Sequence, residues 1–235
     1  MALAHSPKIV TDGLVLCLDA GNTKSYPGSG TTWSDLSGNG NNGSLVNMDG
    51  ANLDSANGGS LTFDGSNEQV SLGSLKLNTA AGTISFWVKL DVNVTPSFTG
   101  NMRPFGSDTD FEMRWGPSGE GGNLWFDLGY SFSDGAKPTT KNNWNSNQWY
   151  NIVAVWDANA STSAWYIDGV LDSSSNVGVS AATLTALSGN LLIGSSGGIA
   201  GYLDGNISQF SAYNRALSAS EVKQNFNALR GRFGL

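Results

Sequence analysis

The chain has 235 residues, and its hydrophobic fraction of 39% is large enough to fill one sizeable core. Only 13% of the residues are charged, and the formal net charge is −7. This balance excludes the basic surface that a nucleic-acid-binding protein needs, and no cluster of Lys and Arg favours an anionic membrane. We therefore predict a protein with neither nucleic acid nor membrane among its partners.

Short apolar or alternating runs, separated by clusters of Gly, Asn, Asp and Ser, indicate an all-β protein. The 31 glycines agree with many tight turns between short strands. The predicted strands are, in chain order, 13–19, 60–65, 68–73, 82–91, 110–115, 123–129, 149–157, 163–168, 190–194 and 202–213.

The first predicted strand contains Cys17, the one cysteine of the chain, within the apolar run 14–18. A single cysteine excludes an intrachain disulfide, and its apolar setting predicts a buried, unreactive thiol.

The following stretch, 20–59, is rich in Gly, Asn and Ser, but Tyr26 and Trp33 within it predict a long loop that is held against the core.

Alternation is clearest in 83–90, where one face is predicted to carry Ile84, Phe86, Val88 and Leu90, and the other Ser85, Trp87 and Lys89. The run 152–156 is apolar on both faces, so we expect a central strand that is covered on both sides. Asp168 and Gly169 lie between two strand-like runs and predict a hairpin with a type I′ turn.

Near the end of the chain the hydrophobic period changes to that of a helix, predicted over 219–229. Ser218 and Glu221 form a capping box, and Leu217 and Val222 a hydrophobic staple. We divide the chain into an N-terminal arm (1–11), one domain (12–230) and a C-terminal tail (231–235). The arm and the tail could dock onto a partner, or they could be frayed ends.

Four blocks of sequence resemble the laminin-G-like, concanavalin A-like lectin/glucanase family: 60–74 (SLTFDGSNEQVSLGS), 83–90 (TISFWVKL), 148–171 and 191–222. They follow the family's order. The resemblance implies a β-sandwich (jelly roll) of two antiparallel sheets with one short C-terminal helix.

Enzymes of this fold include retaining β-glucanases, which carry paired carboxylates on alternate strand residues in the pattern ExDxxE. Asp110 and Glu112 come nearest to that pattern, but a third acid is missing, which favours the alternative that both are solvent-facing strand residues. His5, the one histidine, lies in the predicted arm without a nucleophile near it. We therefore predict that the protein is not an enzyme.

Calcium is a common ligand in the wider family, and no cofactor is otherwise expected. Asp35, Asn39 and Asp204 lie in loops rich in acids and amides, and they are the predicted calcium ligands. The alternative is that these side chains only make turn hydrogen bonds. Related sequences tend to have an acid where this chain has Ser208, so any role of that carboxylate does not carry over.

Sugar binding requires aromatic faces beside hydrogen-bonding groups. Four tryptophans lie within the family-like blocks and are predicted to be packing residues: Trp87, Trp149, Trp156 and Trp165. The stretch 97–147 is less family-like, and its aromatic residues are the predicted glycan-binding residues: Trp115, Trp125, Tyr130 and Trp144. Each of these four could instead be a buried anchor of a loop.

The opening segment, 12–46, resembles the start of laminin-G-like proteins of tailed bacteriophages. The resemblance implies a virion structural protein that decorates the head or forms part of the tail, collar or fibre, with surface glycan adhesion as an added role. Its expected partners are other virion proteins and further copies of itself, as a homo-oligomer. No signal peptide precedes it, so we expect synthesis in the bacterial host cytoplasm and a final place in the virion. The alternative is a free carbohydrate-binding lectin module for bacterial surface polysaccharide.

Overall fold

The structure, a computed structural model, describes residues 8–73, 75, 77–78, 80–107, 111–116, 120–128, 138–175, 190–197 and 201–235. Within these residues the chain forms fifteen strands and one α-helix, α1 (Ala219–Leu229). The strands are β1 (Leu14–Asp19), β2 (Thr32–Trp33), β3 (Gly43–Val46), β4 (Leu53–Asp54), β5 (Ser60–Asp64), β6 (Gln69–Ser71), β7 (Ala81–Leu90), β8 (Met102–Ser107), β9 (Phe111–Trp115), β10 (Leu124–Leu128), β11 (Trp149–Asp157), β12 (Thr162–Ile167), β13 (Val170–Ser175), β14 (Leu191–Ile193) and β15 (Asp204–Tyr213).

The strands form two antiparallel sheets, which confirms the predicted sandwich. The eight-stranded sheet has the order β13-β12-β11-β7-β15-β5-β4, and β1 also pairs with β15. The seven-stranded sheet has the order β10-β9-β8-β14-β6-β3-β2. The core fills the space between the two inner faces. The described part of the chain contains no helix long and apolar enough to span a membrane.

The central strands β7 and β11 are both covered on both faces, which the sequence predicts for β11 alone. Along β7 the apolar residues alternate into the core, while Ser85 and Trp87 are buried on the opposite face. On β11, Ile152 lies in the core, and Val153 packs on the other side in a cluster with residues of the α1 region. The outer face of the eight-stranded sheet is therefore a second, smaller packing surface.

The local turn and cap predictions are confirmed. Asp168 and Gly169 have φ values of 52° and 70°, as both central residues of a type I′ turn require. Helix α1 begins after Ser218, whose side chain accepts from the Glu221 N–H, while the Glu221 carboxylate accepts from the Ser218 N–H. Leu217 and Val222 lie in one apolar cluster.

Four strands fall outside the predictions: β2, β3, β4 and β8, while β13 is the second strand of the predicted hairpin. Three of them lie within the Gly- and Asn-rich stretch 20–59 and have two to four residues each. Trp33 is fully buried there, which confirms that this stretch is held against the core. Strand β8 contains Pro104 and Gly106, which obscure its pattern.

The two termini are parts of the domain in their described residues. Val10 is buried, its N–H donates to Asn225 Oδ1 over 2.7 Å, and its carbonyl accepts from the Tyr213 hydroxyl over 3.0 Å. At the other end, Arg230–Phe233 form a 3₁₀ turn, and the Phe233 ring stacks on Trp87 at 4.0 Å. The described residues at both ends of the chain therefore make packing and hydrogen-bond contacts with the sandwich and α1.

Candidate functional site

Two of the predicted calcium ligands, Asp35 and Asn39, are structural residues of one turn. The Asp35 carboxylate accepts from the N–H groups of Cys17 (2.9 Å), Ser37 (2.8 Å) and Asn41 (3.0 Å). The Asn39 side-chain amide donates to the Leu14 carbonyl over 3.1 Å. These contacts match the alternative, in which acids and amides hold a loop through hydrogen bonds.

Asp204 lies far from that turn, so the three residues do not form the predicted calcium site. The Cys17 N–H donates to the Asp35 carboxylate, and Cys17 on β1 is paired with Ser211 on β15. Asp204 precedes Ser211 by seven positions on β15. At about 3.3 Å per residue, Asp204 is therefore roughly 20 Å from the turn that contains Asp35. Burial raises the pKa of Asp204, and the carboxylates of Asp91 and Asp64 add to the shift. Among the described residues no cluster of three or more acid, His or Cys side chains could hold a metal ion.

Ser208, at the position where relatives tend to have an acid, belongs to the anchor of the C-terminal tail. Its buried hydroxyl donates to the Gly59 carbonyl over 2.6 Å and accepts from Arg232 Nη2 over 2.9 Å. The charge of Arg232 is balanced by Asp19, whose two oxygens lie 2.9 and 3.0 Å from Nη1. In this chain, therefore, the carboxylate partner of the arginine comes from β1.

The predicted glycan-binding residues Trp115 and Trp144 are packing residues, a correction to the glycan prediction. They are 0% and 1% exposed, and their rings meet edge to face at 5.4 Å. The Trp144 indole N–H donates to the Gly122 carbonyl over 3.0 Å. Neither ring presents a face on which a sugar could stack, so the buried-anchor alternative holds for both. Tyr130 lies outside the described residues.

Trp125 is the predicted aromatic residue that remains partly exposed. It lies on the outer face of β10, opposite Arg114 of β9, whose guanidinium carbon is 6.0 Å from the indole centroid. The indole N–H is buried without a hydrogen-bond partner. A partly exposed aromatic ring beside charged groups is a surface on which a sugar can stack.

A chain of ion pairs borders Trp125 on the same sheet face. Glu112 accepts from Arg103 Nε over 2.7 Å and from Arg114 Nη1 over 2.8 Å, and Arg114 Nη2 donates to Glu120 over 2.9 Å. Both arginine side chains are at most 8% exposed. We call Trp125 and these four residues the Trp125 face. The alternation of Glu112 and Arg114 along β9 is the sequence signal that could have revealed it.

The same ion pairs differ from the arrangement of carboxylates that retaining glycoside hydrolysis requires. Each Glu112 oxygen is bound by a different arginine, and the Arg114 guanidinium lies between the carboxylates of Glu112 and Glu120. Retaining hydrolysis needs two carboxyl groups about 5–5.5 Å apart that face a sugar between them. An arginine occupies that position here. Asp110, the other acid of the nearest glucanase-like pair, lies outside the described residues.

The opposite sheet has a shallow groove beside the start of α1. Its volume is about 270 Å³, and its lining includes Tyr166, Asp157, Val155 and Leu217. Tyr166 is partly exposed on the outer face of β12, so it matches Trp125 in residue class and exposure but lies on the other sheet.

Residues 64–223 match the sequence profile of a laminin-G family described as the concanavalin A-like lectin/glucanases superfamily. No curated protein sequence matches the chain. Among solved structures, a mutant of Trypanosoma rangeli sialidase with trans-sialidase activity superposes with a TM-score of 0.64 at 18% identity, over 97% of this chain and 34% of that one. The binding domain of Paraclostridial Mosquitocidal Protein 1 gives 0.63 at 19% identity, over 93% and 52%. The binding domain of botulinum neurotoxin serotype D gives 0.61 at 13% identity, over 92% and 52%.

The chain spans about a third of the length of the sialidase and about half of each binding domain. At these identities the likeness concerns the fold, and fold alone does not carry activity from one protein to another.

Proposed function

The chain belongs to the concanavalin A-like lectin/glucanases superfamily, and we propose that it is a non-enzymatic recognition module that binds a glycan at the Trp125 face. The observation that carries the proposal is Trp125 itself, a partly exposed aromatic ring on the outer face of β10 beside Arg114. Two similar structures are toxin binding domains, which supports binding over catalysis as an analogy of fold.

The charges of the Trp125 face favour a neutral glycan. Among the described residues of this face, two arginines form ion pairs with two glutamates. Such a surface offers donors and acceptors to hydroxyl groups without the excess positive charge that would select an acidic sugar. No metal or cofactor is part of this proposal.

A glycan array followed by titration of any hit tests the proposal. We expect saturable binding to a neutral oligosaccharide and a Kd that rises about tenfold or more in Trp125→Ala, since the stacking surface is lost. The matched control is Tyr166→Ala, a partly exposed aromatic residue on the opposite sheet, which should leave Kd unchanged. An array without a hit, or equal Kd values for Trp125→Ala and the wild type, would overturn the proposal.

A second candidate function, a structural protein of a tailed-phage virion, is favoured by the opening segment. Residues 12–46 resemble the start of phage laminin-G-like proteins, and in the fold they supply β1 to one sheet and β2 and β3 to the other. The phage-like segment is therefore integral to the sandwich. As a virion component, the chain would contact other virion proteins and further copies of itself, with glycan adhesion as an added role.

Imaging of purified virions at a resolution that allows this chain to be traced tests the second candidate. We expect the chain at symmetric positions on the head, tail, collar or fibre. Its absence from the particles would exclude the virion role. Glycan binding would still be tested separately by the glycan array.

A further inference from the structure

A small cavity lies between α1 and the outer face of the eight-stranded sheet, away from the Trp125 face. Six of its nine lining residues are polar and buried: Ser85, Asn151, Gln209, Ser211, Tyr213 and Asn225. The cavity leaves about 10 Å³ for the centre of a water-sized sphere. That is close to the space that one water molecule needs.

One lining atom, Asn151 Oδ1, is buried without a hydrogen-bond partner. Asn151 is 1% exposed, and its Nδ2 donates to the Phe86 carbonyl over 3.3 Å. A flip of the amide would place Oδ1 against that carbonyl and leave the NH₂ group without an acceptor. The unmet hydrogen bond therefore remains in either orientation of the side chain.

Polar groups beside Asn151 in the lining make hydrogen bonds to other partners. The Tyr213 hydroxyl donates to the Val10 carbonyl and accepts from Asn225 Nδ2, both over 3.0 Å. The Gln209 amide donates to the Ser211 hydroxyl. These groups do not supply the proton that Asn151 Oδ1 lacks, and buried polar atoms rarely stay unpaired.

We propose that this cavity is a binding site for one structural water molecule, which donates a hydrogen bond to Asn151 Oδ1 and joins α1 to the sheet. A hard cation is disfavoured, because the described lining residues include no carboxylate and calcium takes six to eight oxygen ligands. Nor do these described residues include a cationic side chain that would favour an anion. The volume excludes anything much larger than water.

The site explains why β7, β11 and β15 carry polar residues where a helix packs on a sheet. Ser85, Asn151 and Ser211 would be poor contacts for a dry helix, but a shared water satisfies them. Phe226, which lies between the two α1 residues that line the cavity (Asn225 and Leu229), stacks on Trp87 at 5.6 Å. The C-terminal half of α1 is thus held by an apolar contact and, beside it, by the water site.

A crystal structure of the full chain at about 1.5 Å resolution tests the proposal directly. We expect a solvent peak at hydrogen-bond distance, about 2.7–3.2 Å, from Asn151 Oδ1. An empty cavity, or a direct protein donor on Asn151 Oδ1, would overturn it.

Water relaxation dispersion of the folded protein gives a solution test. We expect Asn151→Leu, which removes the acceptor and fills the space, to lose one long-lived internal water. Asn159→Leu, at an exposed turn, should lose none. Since Asn151→Leu could impair folding, Ser85→Val is the second variant, because its extra volume displaces the same water. Retention of every long-lived water in a folded Asn151→Leu or Ser85→Val would contradict the proposal.

Discussion

The two carboxylate oxygens of Glu112 form ion pairs with two different arginines, and all three side chains are mostly buried. Removing its charge takes away the carboxylate that bridges Arg103 and Arg114, and breaking a buried pair by removing one partner is costly. We expect Glu112→Gln to lower the free energy of unfolding by about 2–4 kcal/mol, measured by urea denaturation. Asp12→Asn, at an exposed pair with Arg215, should cost less than about 1 kcal/mol. Equal losses in the two variants would contradict this argument.

Cys17 is a second residue whose environment determines its chemistry. Burial, with a small addition from nearby acids, raises the pKa of its thiol to about 11. The thiolate is therefore disfavoured in the folded protein, and stability should fall as the pH rises above the unfolded pKa of about 8.5. We expect a thiol reagent at about pH 8 to label Cys17 only as fast as the domain unfolds. Rapid labelling of the native protein would show that the site opens locally.

The capping box of α1 is an element whose stability depends on pH. The Arg215 guanidinium, assisted by hydrogen bonds from Ser218, lowers the pKa of Glu221 to about 2. A lowered folded-state pKa gives stability that is present above the unfolded pKa of about 4.3 and is lost as pH falls towards 2. We expect the Tm of the wild type to exceed that of Glu221→Gln near neutral pH, with the difference vanishing towards pH 2. A constant difference across that range would show that the charge is unimportant.

At the scale of elements, the sequence predicts those parts of the fold that have a local physical signal. The alternation in β7, the type I′ turn at Asp168 and the cap at Ser218 are fixed by neighbouring residues, and all three are confirmed. Strand β8 is missed because Pro104 and Gly106 interrupt its pattern. Short strands within a Gly-rich stretch are missed because their pairing partners are distant in sequence.

The candidate site was less predictable, because function depends on which end of a strand and which face of a sheet a residue occupies. Asp35 and Asp204 lie in similar stretches of sequence, rich in acids and amides, but their separation along β15 becomes apparent only with the β1–β15 register. Trp115 and Trp125 flank the same turn region, and one faces the core while the other faces outward. Aromatic content alone does not distinguish these two positions.

For the whole molecule, the C-terminal tail decides how the outer face of the eight-stranded sheet is covered. Phe233 packs between Trp87 and Trp149, at 4.0 and 4.8 Å between centroids, while Arg232 joins Asp19 and Ser208. Burying one phenylalanine side chain contributes about 1.5–3 kcal/mol, and the partly buried ion pair adds to it.

We therefore expect a chain that ends at residue 231 to lose about 3–5 kcal/mol of unfolding free energy, with a lower urea midpoint. A chain that ends at Phe233 is the matched control, because Gly234 and Leu235 are exposed and their removal should leave the midpoint almost unchanged. If the two truncated chains unfold at the same urea concentration, the tail is not part of the cooperative domain. A separate early transition in the chain that ends at residue 231 would instead show that α1 loosens before the sandwich, since Phe226 and Phe233 share the Trp87 surface.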